Sequence, residues 1–320
     1  MESEKSEAAL GFATVAEADR RVAGVAWAAR LAGEHAMRGA RRVRLHVGDG
    51  LEPAPATLAD IERLRGVACV EWVADGPTVP APAAPSSWSI VRTTGKPGDG
   101  LVSRWLNRPV SQRISWLLLH LPGVRPVHVT AFNAALALAM AMILLGGGQA
   151  GLIAGAILFH LASVLDGVDG EMARATGRSS AAGASLDSMV DMATNFLFVS
   201  GLSIHLAFRD GGAIGWLGAA AIAQMLIGNA LLARQARAGG APVGFDLLKR
   251  RRHEGGLFGQ VYWAVQTLTG RDCFAFLFMV LTLVGLERVA LFIFFGVGTV
   301  WLGYILVTQL AGFRAYRNAA

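Results

Sequence analysis

Charge is scarce in this sequence. Only 16% of its 320 residues are Asp, Glu, Lys or Arg, against 53% apolar, and mean hydropathy is +0.46. Soluble domains carry about 25% charged residues. The composition therefore excludes an ordinary soluble enzyme over the whole length and indicates an integral membrane protein. Cysteine is nearly absent. Cys69 and Cys273 lie too far apart in sequence to suggest a disulfide framework, and both are expected as small buried apolar side chains. The opening, MESEKSEAAL, is polar and acidic, so no secretory signal is expected in it.

Against this apolar background stands one polar stretch, DGVDGEMARATGRSSAAGASLDSMVD, running from Asp166 to Asp191. Asp166 and Asp169 are three apart, and Asp187 and Asp191 are four apart. On helices each spacing puts two carboxylates on one face, and two facing helices then bring four together. Like charges in a low-dielectric setting repel unless neutralised. Hard divalent cations suit such an oxygen-only cluster, magnesium above all. Gly170, Ala173 and Gly183 are small enough to let a backbone or ligand approach. Arg174 brings a guanidinium suited to phosphate. An EF-hand is excluded, because DGVDGEMAR lacks the alternating oxygen ligands and the closing Glu.

The order Asp-x2-Asp-Gly-x2-Ala-Arg-x8-Gly-x3-Asp-x3-Asp resembles the signature of the CDP-alcohol phosphotransferase (CDP-alcohol phosphatidyltransferase) family. Asp166, Asp169, Gly170, Ala173, Arg174, Gly183, Asp187 and Asp191 match it at every fixed position. The resemblance implies a magnesium- or manganese-dependent enzyme with two ions. Asp166, Asp169 and Asp187 would hold the metals, and Asp191 would bind the second and act as catalytic base. Gly170, Arg174 and Ser180 would contact the CDP portion. The implied reaction passes a phosphatidyl or phospho-polyol group from a CDP-linked donor to an alcohol or polyol-phosphate acceptor and releases CMP. One departure is RPVHVT, where Val127 replaces the usual Asn while Pro126 and Thr130 remain. The competing reading is a cation transporter or channel using the Asp cluster, which offers no reason for the fixed Gly, Ala and Arg positions.

The expected fold is mainly α: a six-transmembrane-helix bundle preceded by an amphipathic interfacial helix, with a small N-terminal cytosolic α/β domain. Residues 1–76 read as α-β-α-β. Val22, Val25, Ala26 and Ala29 recur at helical spacing up to Gly39. Val43, Leu45 and Val47 alternate as a strand. Thr57 with Asp60 suggests a helix start, and Val67 to Val73 a second strand. This stretch resembles part of a nucleotidyltransferase fold but lacks a Gly-rich phosphate loop, which favours a structural or regulatory role. Residues 77–98 have the proline-bearing composition of a linker. Residues 99–320 form the membrane domain.

Within that domain, residues 99–120 are basic and amphipathic, with Arg104, Arg108, Arg113, Trp105 and Trp116, and Pro109 is expected to split them into two helices. The string from Lys96 to Ser115 resembles the junction segment of di-myo-inositol-phosphate-phosphate synthases, which transfer inositol phosphate from CDP-inositol. Spans are expected near 127–146, 150–165, 181–208, 212–233, 272–286 and 288–310. The second continues as helix through Arg174.

Most Lys and Arg fall on one side, among them Arg125, Arg178, the run Lys249 to Arg252, and Arg271. That side carries both termini and the Asp cluster, and is read as the cytoplasmic face of the cytoplasmic membrane. KRRRH, Lys249 to His253, suits lipid headgroups, and no nucleic-acid partner is expected. Arg234, Arg237 and Arg314 are candidates for a phosphorylated acceptor, though arginines at such span ends more often serve topology. The polar residues inside spans, such as Gln224 and Asn229, are expected to hydrogen-bond between helices, and small-residue faces are compatible with a homodimer.

Overall fold

The computed structural model describes residues 7–73, 78–96, 99–238 and 270–319. The chain is mainly helical, with a small N-terminal α/β region. Two compact units divide it. The first comprises Met1–Thr94, Ser115–Val124 and Arg174–Arg178, the second Gly95–Ile114, Arg125–Ala173 and Ser179–Ala320.

The first unit contains β1 (Glu7–Phe12), α1 (Val15–Asp19), β2 (Arg21–Val22), β3 (Val25–Ala26), α2 (Trp27–Met37), β4 (Arg42–Val47), α3 (Pro55–Glu62), β5 (Cys69–Trp72), β6 (Val79–Pro80) and α4 (Ser87–Arg92). Its main sheet is parallel, in the order β5-β4-β1-β6. Register sets Leu10 beside Leu45 and Phe12 beside Val47, and these side chains are buried with Val43, Trp27 and Leu31. Residues 77–98 contribute β6 and α4, with Pro80 on an edge strand where its missing N–H costs no ladder bond.

Several expectations change here. The helical spacing at Val22, Val25 and Ala26 belongs to the β2–β3 hairpin, because Ala23 and Gly24 take positive φ, at 47° and 77°, the primed-turn geometry of a two-residue loop. The helix itself starts at Trp27. Thr57 lies inside α3 rather than capping it. Ala54 precedes Pro55 at the first helical position, and buried Asp60 instead accepts from the Ala26 N–H (3.0 Å), Arg21 and Arg63. Cys69 is exposed and Cys273 half-buried, because Cys69 opens an edge strand.

The second unit holds a π-helical turn (Ser103–Asn107), most of α5 (Arg108–Leu118), and the long helices α6 (Pro126–Gly146), α7 (Gly148–Thr176), α8 (Ala181–Asp210), α9 (Gly212–Ala238), α10 (Arg271–Leu283) and α11 (Glu287–Ala319). Pro109 does not split the segment. The Arg108 N–H bonds back to the Ser103 carbonyl, five residues earlier. This widened turn accommodates the proline ring, which would otherwise clash with the carbonyl four residues before it.

Among the described residues, five helices are long and apolar enough to cross a membrane: Pro126–Gly146, Gly148–Thr176, Ala181–Asp210, Gly212–Arg234 and Glu287–Val307. The protein is therefore multi-pass. α10, at 13 residues, is shorter than the roughly 20 a span needs.

Where the helices meet, Phe159 stacks on Phe198 with centroids 4.0 Å apart, and Met140, Leu144, Leu152, Leu202, Phe278 and Leu291 close the core. Small residues set the approach. A Cβ on Gly201 would stand 2.8 Å from Leu144, and one on Gly155 or Gly228 would come closer still, to Leu144 and Trp301 respectively. Without a hydrophobic force between helices in lipid, such close fits supply the packing energy. Of the intramembrane polar groups, Gln224 bonds across to Thr299 (2.7 Å), whereas Asn229 donates within its own helix to the Met225 carbonyl.

Candidate metal centre

α7 and α8 face each other through the motif. α7 runs unbroken past Asp166 and Asp169 to Thr176. α8 starts at Ser180, whose hydroxyl accepts the Gly183 N–H at 3.0 Å. A Cβ at Gly183 would stand 3.1 Å from that oxygen, so glycine there leaves the cap its room. The cap fixes the first turn of α8 and sets the phase that turns Asp187 and Asp191 toward α7.

Three carboxylates converge. One oxygen each from Asp166, Asp187 and Asp191 lies within 4.8 Å of the others, all half-buried. Such oxygens, presented by two helices in an apolar setting, form a donor set suited to a hard divalent ion. Asp169 stands slightly apart. It is buried and accepts a hydrogen bond from the Thr130 hydroxyl in the first turns of α6. The RPVHVT stretch thus reaches Asp169 through Thr130.

Gly170 follows on α7, half-buried. Arg174 lies in the last turn of α7, and its Nε donates to the Thr94 carbonyl at 2.7 Å, which fixes the guanidinium plane. Ser180 holds its capping role. Arg234 is exposed on α9. The side chains of Arg237 and Arg314 and the run from Lys249 to His253 lie outside the described residues.

The structure adds residues that the sequence did not single out. Arg271, opening α10, pairs through Nη1 with Asp191 and, at 3.0 Å, with Asp166. Lys96 faces the site from the segment before α5 and acts by charge on Asp169 and Asp187.

A second face of the motif binds α5. Glu171, fully buried, accepts from Arg108 Nη1 (2.6 Å) and from the Ser111 hydroxyl (2.7 Å). Arg108 also grips both oxygens of Asp99, at 2.7 and 2.9 Å. Gly167, four residues before Glu171, lets α5 approach, since a Cβ would come 3.2 Å from Arg108. Burial alone would raise the Asp99 carboxyl. The hydrogen bonds and charge of Arg108, with the Lys96 N–H, outweigh this and hold it below the usual carboxylate range.

The opposite end of the bundle carries another charged group. Arg209 at the end of α8 bonds Gln149 (3.0 Å) and Glu287, while Arg288 grips both oxygens of Asp210 at 2.6 and 2.8 Å. Asp187 and Arg209 are 22 residues apart on α8, about 33 Å at 1.5 Å per residue. That matches the roughly 30 Å hydrocarbon core of a bilayer.

In the α/β unit, the corresponding place is the C-terminal end of β1, beside β6. There the Val15 N–H is taken by Asp49 (2.9 Å) and the Ala13 N–H by Glu17 (3.1 Å). Carboxylates of the chain itself fill the place where a phosphate-binding loop would present its amides.

A family described as CDP-alcohol phosphatidyltransferase matches residues 124–311. A bifunctional IPC transferase and DIPP synthase of Aquifex aeolicus is 40% identical over 109 residues, 34% of this chain and 24% of that protein. The Thermococcus kodakarensis protein of the same name is 43% identical over 103 residues, 32% and 22% of the two chains. The aligned part spans about a quarter of the length of these curated relatives.

Proposed function

The chain belongs to the CDP-alcohol phosphatidyltransferase family, and we propose that it moves a phosphatidyl or phospho-polyol group from a CDP-linked donor to an alcohol acceptor, releasing CMP. The family acts on CDP-linked donors and alcohol acceptors. For this chain the donor would be CDP-diacylglycerol or a CDP-polyol resembling CDP-inositol, and the similarity to the IPC transferases and DIPP synthases favours the second. The observation that carries this reading is the convergence of Asp166, Asp187 and Asp191.

Asp166, Asp169, Asp187 and Asp191 would hold two magnesium or manganese ions. Bound there, such ions neutralise a pyrophosphate and stabilise the charge that develops as it is cleaved. Asp191 takes the proton of the acceptor hydroxyl as its oxygen bonds to the β-phosphorus and the bond to CMP breaks. Thr130 keeps Asp169 oriented. Gly170 gives the nucleotide room beside α7, with Arg174 and Ser180 at its CDP portion.

α10 would complete a sixth crossing, with residues up to Leu286. α5 and the turn before it would lie in the interface, where Trp105 is 76% exposed. The excess of Arg and Lys on the carboxylate side supports a cytoplasmic orientation for that side. The N-terminal α/β domain, preceding a membrane domain that starts near residue 99, would be structural or regulatory. A homodimer through small-residue faces fits the same picture.

The test is purified protein with magnesium or manganese, CDP-diacylglycerol or CDP-inositol, and a panel of alcohols and polyol phosphates, following CMP. Release that depends on both metal and acceptor is expected. Cation flux through liposomes without CMP release would favour a carrier instead.

A further inference from the structure

Arg271 differs from Arg108, which is half-buried like it. Arg108 uses Nε and both Nη groups on Asp99 and Glu171. Arg271 uses Nη1 alone, shared between Asp191 and Asp166, while its Nε and Nη2 are buried without a hydrogen-bond partner. A guanidinium is a rigid fork of five donors matched to planar oxyanions, and here most of the fork is idle. The backbone around it is nonetheless fixed. The neighbouring Asp272 accepts the Ser103 N–H at 2.7 Å and abuts Gly100. The side chain can therefore change partners without moving α10.

The oxygens it holds belong to two of the three carboxylates within ligand distance of one another. A monovalent cation and a divalent ion are thus offered the same oxygens, and like charges cannot share them at close range.

We infer that Arg271 is the built-in counter-ion of the metal-free site: its guanidinium neutralises Asp166 and Asp191, is displaced by the incoming divalent ion, and then turns its unpaired edge to phosphoryl oxygens of the substrate. This rests on the metal-dependent reading above. The exchange makes Arg271 a competitor of the metal, so apparent metal affinity falls by the fraction of time the guanidinium is seated. It also ties release of Asp191 from its ion pair to arrival of the metal.

Manganese binding without substrate, followed by the electron paramagnetic resonance of the free ion, separates the possibilities. Arg271→Gln should bind Mn2+ about tenfold more tightly than wild type, the gain expected if the guanidinium is seated about nine-tenths of the time. Arg271→Lys, which keeps the charge, should stay near wild type. In wild-type protein, phenylglyoxal should label Arg271 slowly in chelator and several-fold faster in saturating Mg2+, read by mass spectrometry of its peptide. Unchanged or weaker Mn2+ binding by Arg271→Gln, or labelling indifferent to Mg2+, overturns the exchange while leaving the metal site standing. Failure of wild type and Arg271→Gln alike to bind Mn2+ removes the metal reading and the exchange with it.

Discussion

At one end of the helix bundle, Arg209 and Arg288 face Asp210 and Glu287, two cations for two anions, with Gln149 closing the set. At the other, Arg271 bridges Asp166 and Asp191, with Asp187 beside them. Both groups tie together helix ends that are remote in sequence, and both sit where apolar helix gives way to polar chain. The balanced group neutralises itself and needs nothing further. The acidic group carries more negative than positive charge, which suits it to hold a cation. Clusters of charged residues at helix ends are thus distinguished by their sum rather than their presence.

The contrast breaks most visibly in turnover. Asp191→Asn should lower CMP release by about a thousandfold or more, the scale of losing a general base together with a metal ligand, with circular dichroism unchanged. Asp210→Asn should leave turnover within about twofold while lowering the melting temperature. Equal losses of activity at both ends would erase the distinction.

The next effect is on stability. Arg108→Ala leaves Glu171 fully buried without its cationic partner, and should cost about 3–5 kcal/mol in chemical denaturation.

A smaller effect is set by pH. The Asp99 carboxyl is held below its usual range, so its contribution is fully present above the ordinary carboxylate pKa, about 3.9, and is lost as pH falls through the depressed folded value. The stability gap between wild type and Asp99→Asn should stay constant from pH 7 to about 5 and shrink below about 4. A gap that shrinks between pH 7 and 5 would contradict this.

The smallest change is Gly167→Ala. The added methyl meets Arg108 and Ser111 at 3.2–3.4 Å and should cost about 1 kcal/mol, with activity following stability.

Much of the site was legible because its spacing is local. Three and four residues on a helix put side chains on one face whatever the rest of the chain does, so the two Asp pairs and the continuation of α7 through Arg174 follow from the string alone. Arg271 is not local. It lies 80 residues beyond Asp191 and, in sequence, is one more basic residue near a span end. Arg108 and Glu171 stayed hidden for the same reason, 63 residues apart. In the α/β unit, tertiary pairing overrode propensity. EAALGF is rich in helix formers, yet Glu7–Phe12 becomes a strand because β4 and β6 offer it hydrogen-bonded partners on both sides. The hairpin at Ala23–Gly24 was missed because alanine rarely adopts positive φ.

Only Gly177 to Ser180 separate α7 from α8. Both acidic pairs, the small residues between them and the serine that starts the second helix therefore ride on one contiguous hairpin. The spacing between the two pairs is therefore set by one four-residue turn rather than by distant contacts.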